Sequence, residues 1–183
     1  MKSRLDGLAG TEELLLVLDA SVVINLLATD RGGSNVDSVL AELETNQLLA
    51  IRELGAQGLE DFAAMTEGTI RDTLGDGEAA TLALAAEIGA VAVIDENKAA
   101  RIARERYRDN SMTLLNSLDL LACQAVQQAF RDDLTAMVLR ALQLARMRVP
   151  IPFEAWVLDL IGPEEFQRCT SIRLRARNDA RAR

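Results

Sequence analysis

The sequence predicts an α/β fold in which helices cover both faces of a central parallel sheet, in three layers. Two short apolar runs, ELLLVL (13–18) and AVAVI (90–94), are rich in the residues of strands buried on both faces. Helical periodicity occupies the stretches that follow each of them, so strands and helices alternate. Between them AATLALAAEI (79–88) is apolar nearly all round, the pattern of a helix in the middle of a domain.

Taken in order, residues 1–13 carry no apolar core and read as a flexible leader rather than a signal peptide. The run 13–18 is the first strand, closed by Asp19, and ASVVINLLAT (20–29) follows with helical spacing. DRGGSN (30–35) is a loop, and VDSVLAELE (36–44) an amphipathic helix. QLLAIREL (47–54) fits either a short strand turning into a helix or continued helix. Residues 55–73 are weakly patterned, broken by Gly55, Gly58 and Gly68. Asp76 is suited to N-cap the central helix, with Gly77 and Glu78 in its first turn, and Gly89 to end it. After the strand 90–94 come Asp95 and Glu96, then a helix over 97–107 and a short last strand over 112–115. Two more helices are expected, 117–130 with Ser117 as N-cap and 132–147. Val149-Pro150-Ile151-Pro152 breaks the second, and a short helix covers 153–161. No linker divides the chain. The expected organisation is a catalytic domain over 14–130, a helical C-terminal extension over 131–167 packed on it, and an Arg-rich tail over 168–183.

Composition narrows the chemistry. The chain has 183 residues, enough for one full core, with 49% hydrophobic but only 3% aromatic residues. There is no histidine, which removes Ser-His-Asp and Cys-His catalysis and His-based zinc sites. Cys123 and Cys169 lack metal-type spacing and suit a reduced, cytoplasmic protein. No apolar run reaches the roughly 18 residues of a membrane span. Net charge is −8, unevenly spread: residues 168–183 hold six Arg and one Asp, or +5, leaving −13 on the rest.

Three carboxylates stand where an apolar core does not need charge. Asp19 and Asp95 close strands, and Glu78 opens the central helix. Ligands gather at the carboxyl edge of parallel strands, so neighbouring strands would make Asp19 and Asp95 converge. Clustered carboxylates repel until a hard cation such as Mg²⁺ or Mn²⁺ joins them. Each residue also has an ordinary reading: Asp19 as a helix N-cap, Glu78 as complement to the helix dipole, Asp95 as a turn residue. Lys98, Arg101, Arg104 and Arg108 follow at spacings of three, three and four. That puts them on one helix face, either a solvated surface or a track for phosphates.

The stretches LDASVVINLLA, GDGEAATLALAAEIGA and VIDENKAARIA, followed by LLNSLDLLA, resemble the PIN-domain ribonucleases, in particular a toxin-type, VapC-like branch. The resemblance covers most of residues 14–130. It implies a PIN-like fold and metal-dependent hydrolysis of RNA phosphodiesters, leaving a 5′-phosphate and a 3′-hydroxyl. Asp19, Glu78 and Asp95 match the family's metal-binding acidic positions. A further acidic position falls on Glu53 by its spacing from Asp19, with Glu42 as competitor, and Glu96 stands where the family has a second aspartate. The resemblance further implies an RNA substrate, whose phosphates the face of Lys98, Arg101, Arg104 and Arg108 read above from spacing would track, a homodimer, and an antitoxin partner if the protein is one half of a toxin–antitoxin pair. Two other readings remain. Aspartyl phosphotransfer through Asp19 would want an Asp at position 21, which is Ser. The other is a PIN-like metal-binding or regulatory module that interacts with proteins and does not cleave.

Overall fold

The computed structural model describes residues 3–8, 14–30, 36–69, 71–108 and 112–169. Residues 31–35 of the expected loop 30–35, nearly all of the Arg-rich tail (170–183) and residues 1–2 and 9–13 of the leader lie outside these. The architecture is mixed α/β with a three-stranded parallel sheet in the order β1-β2-β3. Its strands are β1 (Leu16–Leu18), β2 (Val91–Val93) and β3 (Leu114–Leu115). Leu16 pairs with Val91 and Leu18 with Val93, and Ala92 pairs with Leu114. The helices are α1 (Ala20–Leu27), α2 (Val36–Thr45), α3 (Ala56–Thr66), α4 (Asp76–Ile88), α5 (Asn97–Arg106), α6 (Ser117–Leu121), α7 (Gln124–Ala129), α8 (Leu134–Gln143) and α9 (Glu154–Arg168). Among the described residues no helix is long and apolar enough to cross a membrane.

The chain forms two compact units that are interleaved in sequence. One comprises Leu8–Val23 and Ser34–Asn116; the other comprises Met1–Gly7, Ile24–Gly33 and Ser117–Arg183. The first holds the sheet. Its core is built on α4, whose Ala79, Leu82, Ala83 and Ala85 pack with Met65, Ala92, Ile94, Ala99, Ile102 and Tyr107. Small alanines on several faces of α4 let α3, α5 and the sheet approach it closely, which is why this helix is apolar all round. Gly89 ends α4 in the left-handed conformation (φ 66°), where a side chain would be strained.

Within this unit the structure departs from the sequence reading in four places. β1 is not a buried strand but the edge of the sheet: Leu14, Leu15 and Leu16 are 38%, 54% and 36% exposed. A continuous apolar run signals burial only if neighbours exist on both sides, and strand order is a non-local property. The segment 47–54 is irregular, beginning at Gln47 with φ 58°. The weakly patterned stretch after it contains α3. Gly55 and Gly68 do bound this helix, but Gly58 lies inside it: the Glu87 carboxylate of α4 accepts the Gly55 N–H at 2.9 Å and the Gly58 N–H at 3.4 Å, capping α3 from outside. A Cβ on either glycine would meet that carboxylate at 2.3 or 2.6 Å, so the small residues make room for the cap. Finally, α4 is N-capped by Gly75 rather than Asp76.

α3 is also tied to the end of α5. Arg106 Nη2 donates to Asp61 Oδ1 at 2.7 Å, and the Tyr107 hydroxyl donates to Asp61 Oδ2 at 3.3 Å. Burial and the neighbouring Asp61 charge push the Tyr107 phenol up to about 12, against the opposing pull of Arg106.

The second unit has a core of Leu118, Leu121, Leu134, Val138, Leu142, Met147, Phe153 and Val157, with Leu26 of α1 packed on it. The helix expected over 117–130 is two helices, broken at Cys123, whose backbone is extended. Ser117 is the first helical residue rather than the cap, and its hydroxyl accepts the buried Asn25 amide at 3.2 Å. The final helix runs past Ile161 to Arg168, kinked at Gly162 (φ 78°) ahead of Pro163. The described part of the expected leader is anchored. Ser3 Oγ donates to the Asp119 carbonyl at 2.6 Å, Arg4 holds the buried Asp119 carboxylate with two nitrogens, and Asp6 accepts the Gln124 N–H at 2.8 Å.

Candidate metal centre

β1 and β2 are adjacent and parallel, so both deliver their carboxyl ends to one edge. Asp19 follows β1 directly, and its N–H donates to the Val93 carbonyl at 3.1 Å, extending the ladder by one residue. Asp95 lies two residues beyond Val93, half-buried, at the same edge. The two aspartates thus stand where the alternation of strands and helices predicted them.

Asp19 is only 6% exposed. Its Oδ2 accepts the Ser21 N–H at 3.1 Å and the Ser21 hydroxyl, so it does cap α1, as its ordinary reading required. Its Oδ1 looks the other way. A Cβ on Gly77 would lie 3.6 Å from this oxygen, in van der Waals contact, so the first turn of α4 rests against the carboxylate. The absence of a side chain at Gly77 and the positive end of α4 both suit a negative group there. Ser21 and Gly77 are the supporting residues, to which the sequence reading had given no part in the site. Their signals were local: a hydroxyl two residues after a strand-end aspartate, and a glycine beside a helix-opening glutamate.

Glu78 lies one residue beyond Gly77. Its carboxylate folds back to accept the Gly75 N–H at 3.1 Å, which is a capping role. Glu96 caps α5, accepting the Lys98 N–H at 3.2 Å. Of the two candidates for a further acidic position, Glu53 is exposed in the irregular segment before α3, and Glu42 is exposed on α2. The donors are hard oxygens, the type that Mg²⁺ and Mn²⁺ prefer. Among the described residues, however, no three His, Cys, Asp or Glu side chains are grouped to hold a metal ion. The fit is therefore one of donor type and of position at the sheet edge, with Glu78 turned towards its own helix.

The basic residues are less uniform than their spacing suggested. Lys98, Arg101 and Arg104 lie on α5, but the helix ends at Arg106, so Arg108 falls in the turn beyond it. Arg101 is engaged with Glu105 at 2.9 Å and with the Arg71 carbonyl at 3.0 Å. Arg104 and Arg108 are exposed. A cleft of about 180 Å³ lined by Ala85, Gly89, Ala90, Val91 and Tyr107 opens at the other end of β2, away from the carboxylates.

No family model, curated protein or solved structure matches this chain. The site is accordingly read from its own geometry and from the motifs already described.

Proposed function

We propose that the protein is a metal-dependent ribonuclease of PIN-like fold, a three-layer α/β/α arrangement, acting on RNA through carboxylate-held Mg²⁺ or Mn²⁺. The observation that carries this reading is the meeting at one sheet edge of a buried aspartate, Asp19, the neighbouring strand's Asp95, and the opening turn of α4. Asp19, Asp95 and Glu78 would hold the metal, with Glu53 or Glu42 as the further acidic residue. Bound there, a divalent cation lowers the pKa of a water and stabilises charge on the phosphate in the transition state.

The protein's own groups do the rest. Ser21 fixes one oxygen of Asp19 and leaves the other facing the α4 turn. Glu78 would exchange its bond to Gly75, worth about 0.5–1.5 kcal/mol, for a place in the site. A carboxylate at the edge orients the attacking water as general base. Lys98, Arg104 and Arg108 meet flanking phosphates, which matters on a body of net −13. In this reading the protein is a homodimer in the cytoplasm, and an antitoxin would hold it inactive if it belongs to a toxin–antitoxin pair.

A second reading has its own support. Asp19, Glu78 and Glu96 each make a helix-capping bond. A PIN-like module that interacts with proteins and has lost cleavage would keep those bonds and need no metal.

A cleavage assay on structured and unstructured RNA separates the two. The nuclease reading expects product with Mg²⁺ or Mn²⁺, none with EDTA, and none from Asp95→Asn. Intact RNA under all conditions, together with no Mn²⁺ binding, would leave the non-cleaving module.

A further inference from the structure

We propose that Asn116, at the carboxyl end of β3, is a further substrate-binding residue of the candidate site, its side-chain amide donating to a phosphate oxygen of the RNA. This role rests on the nuclease reading, in which Asn116 has so far had no part. The support is the register of the sheet. Leu18 pairs with Val93, and Val93 with Leu115. One residue further on, the Asp19 N–H donates to the Val93 carbonyl at 3.1 Å and the Ile94 N–H to the Leu115 carbonyl at 2.9 Å, so the ladder continues past the paired residues. Asp19, Ile94 and Asn116 therefore form one row across the carboxyl edge. The three strands all belong to the first unit, so the row is internal to it.

Side chains alternate along a strand. Val17, Ala92 and Leu114 stand two residues before the members of the row, and they pack with Ile94 in the core built on α4. The row shares that face. Asp19 directs Oδ1 at the first turn of α4, and by the same alternation Asn116 lies on the α4 side. Two strand spacings put Asp19 and Asn116 about 10 Å apart, with the end of β2 and its Asp95 between them.

Asn116 is 9% exposed, nearly as buried as Asp19. Burying a polar side chain costs free energy that an apolar residue would not incur, so its presence needs a reason. Its chemistry differs from that of its neighbours. Asp19, Asp95 and Glu78 are anions and repel phosphate. Asn116 is neutral at every pH, and its amide carries two donor hydrogens. Of the polar side chains that end the three strands, Asp19, Asp95 and Asn116, it alone can donate. The far end of the row from Asp19 thus offers a phosphate the contact that the carboxylates refuse.

Binding of a short RNA in EDTA, where nothing is cleaved by a metal, tests this across a salt series for the wild type, Asn116→Ala and Asn116→Asp. Calorimetry measures Mn²⁺ binding by the same three proteins. Asn116→Ala should weaken RNA binding by about tenfold or more at every salt concentration. The salt slope should not change, because a neutral amide displaces no counterion from a phosphate. Asn116→Asp keeps the size of the side chain and should weaken RNA binding further by repulsion, with Mn²⁺ binding as tight as in the wild type or tighter. If Asn116→Ala does not fold, Asn116→Asp decides by the same ratio. RNA affinity unchanged in the variants overturns the role of Asn116, even where the wild type cleaves RNA with Mn²⁺ and so upholds the nuclease reading. Weakened Mn²⁺ binding in Asn116→Ala also overturns it, since Asn116 would then be a metal ligand. RNA bound but never cleaved by the wild type would instead overturn the nuclease reading, with the role of Asn116 still decided by the binding ratio.

Discussion

Tyr107 is the only tyrosine in the chain, so its ionisation can be followed without assignment by the near-ultraviolet absorbance of phenolate. Its phenol sits 6% exposed beside Asp61 and is raised from 10.0 to about 12. The sign follows from linkage. Below pH 10 the phenol is neutral in both the folded and the unfolded chain, and the contribution is fully present. Between 10 and 12 the unfolded chain releases the proton and the folded chain keeps it, so stability falls as pH rises through the folded value. A rise from 10.0 to about 12 would amount to about 2.7 kcal/mol. Solvent screening of the Asp61 charge, which is 17% exposed, reduces this to about 2 kcal/mol. The assay is urea unfolding at a series of pH values across that window, for the wild type and Tyr107→Phe. The wild type should lose about 2 kcal/mol more than the variant between pH 10 and 12. At neutral pH, Tyr107→Phe should cost only the bond to Asp61, about 0.5–1.5 kcal/mol. A phenol that titrates at its ordinary value, or parallel curves for the two proteins, would refute the reasoning.

Four further outcomes are expected. Arg4→Met removes two of the bonds to the buried Asp119 carboxylate and should cost about 1–3 kcal/mol in urea unfolding; an unchanged stability would mean that the Arg4 pair contributes nothing to holding Asp119. Gly58→Ala should destabilise the wild type by displacing the Glu87 cap and should cost less in a Glu87→Ala background, where the new Cβ still meets Leu54 Cδ2 at 3.1 Å but helix propensity contributes about 0.5–1 kcal/mol, so an equal cost in both would discredit the cap. Asp95→Asn should abolish cleavage and weaken Mn²⁺ binding in calorimetry while leaving the metal-free melting temperature unchanged or higher; a large drop would make Asp95 a structural residue. Arg104→Gln with Arg108→Gln should weaken RNA binding and lower its salt slope by about 1.4, at about 0.7 per contact, with little change in the rate at saturating RNA, and an unchanged slope would move RNA elsewhere.

The unit from α4 through β2 to α5 was legible because its signals are local. Gly89 ends a helix, and a β-branched run makes a strand. The exposure of β1 was not legible, because ELLLVL is the same string at an edge or in the middle of a sheet. α3 was hidden by Gly55 and Gly58, whose role depends on Glu87, about thirty residues away in sequence. The anchoring of Ser3 and Arg4 depends on Asp119, more than a hundred residues distant. At the candidate site the positions of Asp19, Glu78 and Asp95 on the chain indicated their elements correctly. The direction of a carboxylate is set by whichever donor is nearest, and for Glu78 that donor is the Gly75 N–H, a competition that spacing does not encode.

The interleaving of the two units has a consequence for synthesis. On the ribosome the sheet-bearing unit has its last residue, Asn116, in place while the other unit still lacks everything from Ser117 onward. Leu26 emerges early, but the cluster it packs on, which includes Val138 and Phe153, is complete only when the last third of the chain arrives. Until then Leu26 lacks the cluster it packs on, and Arg4 lacks Asp119. The nascent chain therefore passes through a stage with one finished core and one set of waiting apolar groups. During that stage it is most exposed to chaperones, proteases and neighbouring nascent chains.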